Sequence, residues 1–262
     1  MATSAHAVAM SDVVLLEPAG EGIACLTLNR PAALNALNRA MAEALEAALD
    51  QAATLADTRV LLVEGRGRAF CAGNDIAEME HLGTSDAEAI SRRWAVIMER
   101  FASLPQVTVA VIDGHALGGG LMLAVAQDLR IASDRARLGL PEVTLGFNPG
   151  YGIARLLDVA GGNHGRDLLL TGRTIHATEA LRMGLVNRVV AGATLAETAR
   201  TWATEIARSP REGLAATKAI VVGIRAGRLG REPEAYGAAL RTGAAARERI
   251  RAFVERKRRR AR

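Results

Sequence analysis

Val107-Thr108-Val109-Ala110-Val111-Ile112-Asp113-Gly114-His115-Ala116-Leu117-Gly118-Gly119-Gly120 reads as a buried strand, a glycine-bearing turn and the start of a helix. The apolar and β-branched run Val107 to Ile112 suits a strand covered on both faces. Behind the glycines the chain stays apolar to Ala126, which predicts a helix over Gly119 to Ala126. The first N–H groups of a helix lack partners inside it, so this junction can hold an anion. Glycines, having no Cβ, also let the backbone approach a ligand closely. The same three glycines equally suit close packing of a helix on a sheet, and alone they do not choose. A phosphate loop is excluded, because no Gly-Lys-Ser/Thr follows.

A second segment, Phe70-Cys71-Ala72-Gly73-Asn74-Asp75, follows another short apolar run, Val60 to Val63, and the turn Gly65-Arg66-Gly67-Arg68. By itself it could be an ordinary strand-to-loop connection. Two such segments, each after a buried strand of parallel type, point to the strand ends where open α/β sheets bind ligands. Converging N–H groups can hold a negative oxygen. A carboxylate at Glu142, in Leu140-Pro141-Glu142, can move a proton. Those are the parts needed to make and use an enolate. A glutamate after a proline is otherwise a common surface feature.

Working outward, Val13 to Leu16 and Ile23 to Leu28 read as strands around a turn at Pro18 to Gly22. Asn38 suits the N-cap of a helix reaching about Leu55, with Met41, Leu45, Ala48, Leu49 and Ala52 on one face. Asp86 to Ser103 is helical by period, and Leu129 to Ala132 is a further strand. After Pro149 the pattern turns helical, near Gly165 to Leu170, Thr178 to Met183, Leu195 to Arg208 and Glu212 to Ile224. One or two helices more fall between Ala235 and Arg256. Strands alternating with helices predict an α/β fold with a parallel-rich sheet, followed by a helical C-terminal region. No internal repeat is visible.

Composition narrows the function classes. Half of the 262 residues are apolar, but aromatics are only 3%, so the core is built from Ala, Val, Leu and Ile. No apolar run reaches the roughly twenty residues a spanning helix needs. Met1 to Asp12 lacks a basic stretch with an apolar segment behind it, so no secretory signal is read. Cys25 and Cys71 form no disulfide framework, and a cytoplasmic location is expected. The net charge of +5 is concentrated at one end. Arg247 to Arg262 carries nine basic and two acidic residues, +7, while the other 246 carry 24 and 26, −2. With no aromatic near Arg256 to Arg262 to stack on bases, nucleic-acid binding is disfavoured. His81 and His164 show no metal-ligand spacing, so no metal site is expected.

In order and spacing these segments resemble the enoyl-CoA hydratase/isomerase, or crotonase, superfamily. The matching patterns are Phe70 to Asp75, Gly114 to Gly120, and Pro141-Glu142 with Gly146-Phe147-Asn148-Pro149-Gly150. Leu28-Asn29-Arg30-Pro31, Asn35-Ala36-Leu37, Asp128 to Ala132, Gly184-Leu185-Val186-Asn187 and Ala252 to Lys257 match as well. The resemblance runs from about Val13 to Lys257. It implies a β-β-α spiral core over residues 1–195, then a helical oligomerisation region with a basic tail over 196–262. It also implies homotrimers, often paired into hexamers, and an acyl-CoA substrate, with coenzyme A entering as part of that substrate and no separate cofactor. By resemblance the thioester oxygen sits between the N–H groups of Ala72 and Gly119, and Glu142 is catalytic. Coenzyme A contacts fall to Ala33, Leu34, Asn74, Asp75, Ile76, Phe253 and Lys257, with Asp75 also holding its loop.

The pattern breaks at two places. Hydratases of this family carry a glutamate two residues after the third glycine, and here that residue is Met122. Tyr151 stands where the family has a small residue. Met122, Asn148 and Tyr151 are therefore expected to line the acyl pocket. One carboxylate suits moving a double bond, since a single base can take a proton from C2 and return it at C4. Hydration of a 2-enoyl-CoA is the alternative. A non-catalytic acyl-CoA- or RNA-binding protein is the reading of another class.

Overall fold

The computed structural model describes residues 12–227 and 233–260. The reading of Met1 to Asp12 therefore falls almost wholly outside the described residues, as do the last two residues of the basic tail. The chain opens with the strands β1 (Val14–Gly20) and β2 (Ile23–Leu28), and a 3-10 turn at Pro31–Ala33 leads to helix α1 (Arg39–Thr54). Three strand–strand–helix turns follow. The first is β3 (Val60–Gly65), β4 (Ala69–Cys71), a short α2 (Ile76–Met79) and α3 (Thr84–Ser103). The second is β5 (Val107–Ile112), β6 (His115–Leu117) and α4 (Gly119–Ala126). The third is β7 (Leu129–Ser133), β8 (Arg137–Gly139), a 3-10 turn at Pro141–Leu145 and α5 (Ile153–Thr171). Then come β9 (Thr174–His176), α6 (Ala177–Arg182), β10 (Arg188–Val190), α7 (Leu195–Ala207), α8 (Arg211–Arg225), α9 (Pro233–Thr242) and α10 (Ala244–Arg260).

The strands make two sheets. One has the order β1-β2-β3-β5-β7-β10 and is parallel apart from the β1–β2 pair. The other, β4-β6-β8-β9, collects the short second strand of each turn. Each long strand thus ends by handing the chain to the small sheet, and β4 pairs parallel with β6, Cys71 facing Ala116. This is the spiral α/β core expected, and it aligns the two glycine segments side by side. The three turns share geometry without sharing a sequence period.

Local chemistry accounts for some element ends. Asn38 caps α1, its Oδ1 accepting from the N–H of Met41 at 2.9 Å, and the expected apolar face of that helix is wholly buried. β1 runs through Pro18 to Gly20, further than expected, so the turn shrinks to Glu21-Gly22. An edge strand tolerates the missing N–H of proline. α5 is longer than expected and kinks at Gly161.

Apolar burial is continuous between the sheets and the helices α1, α3 and α4, and its large members include Trp94, Phe101 and Phe70. The other face of the large sheet is covered by α7. Its Leu195, Ala199, Ala203 and Ala207 lie against Val60, Leu62, Val109, Val111 and Ile131. The expected division after residue 195 thus falls at the start of a helix that packs on the core sheet. No helix among the described residues is long and apolar enough to cross a membrane.

α8 is anchored by a buried cation. Lys218 Nζ lies 2.8 Å from Asp128 Oδ2 and donates to the carbonyls of Phe101 and Gln106, each at 2.8 Å. Burial pulls its pKa down, and Asp128 opposes that shift. Lys218→Met removes the cation from Asp128, which keeps only Thr108, and takes the Lys218 donor from two carbonyls. It is expected to lower stability by about 3 kcal/mol. A denaturant titration checks this, with the midpoint falling and the slope unchanged.

Candidate active site

The loop after β4 is held by one side chain. Asn35 is fully buried, and its Nδ2 faces the carbonyls of Arg66, Ala69 and Phe70 at 3.0, 2.9 and 3.2 Å. Its Oδ1 accepts from the N–H of Arg30 at 2.9 Å. Leu34 and Asn35 adopt left-handed backbone (φ 50° and 56°), a conformation asparagine tolerates better than most residues. This turn aims the carbonyl of Leu34 at the loop, where it accepts the N–H of Ala72 at 3.0 Å. Ala72 therefore cannot serve as the oxyanion donor expected of it, because its N–H is already bonded within the fold.

The next N–H along is differently placed. Leu37 bridges Asn74 in parallel fashion, Leu37 N–H donating to Gly73 O and Asp75 N–H to Leu37 O. In such a bridge the central residue turns its own N–H away from the partner strand. The Asn74 N–H has no acceptor among the described residues. Arg30 fixes the loop from below, pairing with Asp75 at 3.1 Å and donating to Ala36 O at 2.6 Å. Asp75 is thus a loop holder, as expected.

The second donor comes from α4. Gly118 precedes it with φ 52° and ψ −126°, and its N–H donates to Gly139 O. L-residues with a side chain rarely adopt that conformation. Gly120 lies so close to β4 that a Cβ there would approach the Cys71 carbonyl oxygen to 2.1 Å. Helix and strand meet backbone to backbone. Gly119 N lies 3.4 Å from where a Cβ on Gly73 would stand, and it too lacks an acceptor among the described residues. The loop and the helix start thus bring two unused N–H groups, Asn74 and Gly119, to one place. The helix dipole adds positive potential there.

Glu142 faces them. It sits in the 3-10 turn after β8 and is 8% exposed. Its carboxylate lies against the start of α4, since a Cβ on Gly118 would come within 2.7 Å of Oε1. Oε2 is buried without a hydrogen-bond partner. Burial raises its pKa above the ordinary glutamate value, partly offset by its own backbone N–H.

Met122, Phe147, Asn148 and Tyr151 complete a small cleft with Asn74, Gly119 and Glu142. Met122 is almost fully buried, so it is core and cleft wall together. Asn148 spends its side-chain amide on the carbonyl of Pro149 at 2.8 Å. Tyr151 is 7% exposed and donates its hydroxyl to Asn74 Oδ1 at 2.7 Å. The free interior is about 10 Å³, room for roughly one water.

The remaining expected residues divide. Ala33 and Leu34 lie in the turn bonded to the Ala72 loop, and Ile76 is exposed at the start of α2. Phe253 and Lys257 are exposed on α10 and do not line the cleft of their own chain. Sequence reading missed Asn35 as the clamp. Its signal was the Asn35-Ala36-Leu37 match, which says nothing of a left-handed turn.

Comparison with known proteins agrees with this architecture. The family model described as enoyl-CoA hydratase/isomerase matches residues 18–258. A short-chain-enoyl-CoA hydratase of Clostridium acetobutylicum is 37% identical over 195 residues, covering 74% of this chain and 74% of that one. The crystal structure of an enoyl-CoA hydratase from Bacillus anthracis superposes with a TM-score of 0.86 at 35% identity, over 93% of this chain and 96% of that one. An enoyl-CoA hydratase structure from Mycobacterium smegmatis gives 0.87 at 29% identity, over 94% and 97%. A match over nearly the whole length, on a spiral that joins two free N–H groups to a buried glutamate, makes this chain an enzyme of the enoyl-CoA hydratase/isomerase family, the crotonase superfamily.

Proposed function

We propose that this protein shifts a double bond in an acyl-CoA thioester through an enolate, with Glu142 as the base. The observation that carries the reading is a single buried carboxylate beside two unused N–H groups, with Met122 where a second carboxylate would stand. The thioester oxygen would accept from Asn74 and Gly119. Charge on that oxygen grows as C2 loses its proton, so the donors favour the enolate over the bound substrate. Glu142, left without a hydrogen-bond partner on Oε2, would take the C2 proton, and C4 would gain one in its place. Coenzyme A enters and leaves with the substrate, and the reaction needs no further cofactor.

Hydration of a 2-enoyl-CoA is the second reading. The names of the relatives favour it, and Glu142 would then activate water. An assay of the purified protein against 2-enoyl- and 3-enoyl-CoA of several chain lengths separates the two. We further propose a homotrimer, alone or paired into a hexamer. Supporting it are Ile250, Phe253 and Val254, apolar side chains that α10 leaves exposed in a single chain.

Glu142→Gln is expected to lower turnover by roughly 10²–10⁴-fold while acyl-CoA still binds. Calorimetric titration beside the kinetic assay checks both halves. Because the Glu142 pKa is raised, the base form disappears as pH falls through a value above the usual carboxylate range. The acid limb of kcat/KM should lie there and vanish in Glu142→Gln. The stability consequence has a definite sign. A folded pKa above the unfolded one contributes stability at low pH and loses it as pH rises through the folded value. Glu142→Gln should therefore gain in Tm relative to the parent at pH 8 and not at pH 4. Met122→Glu supplies the second carboxylate and is expected to raise water addition to 2-enoyl-CoA; a folded variant with no gain would speak against that role for position 122.

A further inference from the structure

We infer that Tyr151 is the second proton-carrying group of this site, filling the role left open where Met122 replaces a carboxylate. The inference rests on the enolate reading above and goes beyond it. Among the residues lining the cleft, Glu142 and Tyr151 are the two with an exchangeable acidic proton. They come to it from different elements, Glu142 from the turn after β8 and Tyr151 from the loop before α5. Both are buried, and the space between the lining groups holds about one water.

The hydroxyl is held over the donors. Its O–H is bonded to Asn74 Oδ1 at 2.7 Å, and a Cβ on Gly119 would come within 2.4 Å of the oxygen. It therefore stands beside both residues whose N–H groups are free. A tyrosine placed for packing alone has no need of its hydroxyl there, since phenylalanine fills the same volume. Burial pushes the phenol well above its ordinary pKa, and the nearby Cys71 and Glu142 add to that, so the resting hydroxyl keeps its proton.

Glu142 takes the C2 proton of a 3-enoyl thioester, and the electron pair spreads from C2 onto the thioester oxygen and along to C4. The Tyr151 O–H turns from Asn74 and delivers its proton to C4. A C4–H bond forms, the double bond settles between C2 and C3, and the phenolate remains. That phenolate then recovers a proton from the Glu142 carboxyl. Both residues return to their starting states, with no oxidant or further reactant.

Tyr151→Phe tests this, because it removes the oxygen and keeps the ring. Two reactions are followed on each protein: conversion of 3-enoyl-CoA to 2-enoyl-CoA, and exchange of the C2 hydrogens of a saturated acyl-CoA with deuterium oxide. Exchange needs only Glu142 and the N–H donors. Tyr151→Phe is expected to lose roughly 10²-fold or more in kcat for conversion with KM changed little, while exchange falls no more than a few-fold. Conversion at the parental rate, or conversion and exchange falling together, would overturn the assignment and leave Tyr151 a packing residue. Glu142→Gln serves as the control that loses both. Failure of the parent to exchange at C2 would overturn the enolate reading itself, and the role of Tyr151 with it.

Discussion

Backbone meets backbone where α4 crosses β4, and the site depends on that contact. Gly120 leaves no room for a side chain above the carbonyl of Cys71. The close approach brings the first N–H of α4 level with the loop that follows β4. An added methyl would have to push helix and strand apart, and the two N–H groups would no longer converge. The neighbouring Gly118 performs a related task, its left-handed turn leaving space for the Glu142 carboxylate. Three consecutive glycines thus serve packing and chemistry together, and the two explanations the sequence left open are one.

The electrostatics follow from the same closeness. Two N–H groups unpaired among the described residues and the end of a helix create positive potential in a narrow cleft. A carboxylate beside them would normally be drawn to bond with one of them. Glu142 instead approaches α4 with one oxygen and leaves the other unpartnered, and burial keeps its proton affinity high. In the proposed reaction that condition suits Glu142 to accept a proton from carbon. The fold tolerates it because the surrounding structure is over-determined: Asn35 contacts four backbone groups at once, and Arg30 with Asp75 locks the loop from the far side.

Much of this was legible in the sequence. The long strands, the cap at Asn38 and the face of α1 follow from periodicity and capping chemistry, because each is a local pattern. β4, β6, β8, β9 and β10 are not, since three residues are too few to show a period. The glycines and Glu142 were visible as candidates. The choice of donor was not, because Ala72 and Asn74 differ only in which way the peptide plane faces. That direction is set by the left-handed turn at Leu34 and Asn35, some forty residues earlier in the chain. Sequence order carries no record of such a cross-bond until both partners are placed.

In the proposed reaction the donors at Asn74 and Gly119 belong to the main chain, whereas the groups that move protons, Glu142 and Tyr151, are side chains. The two kinds of function are therefore inherited separately. A lineage can exchange the proton carriers one at a time, gaining or losing a carboxylate or a phenol, while the grip on the thioester oxygen passes on unchanged. Divergence of reaction on such a scaffold proceeds by small substitutions in a cleft wall, without any stage at which the substrate is no longer held.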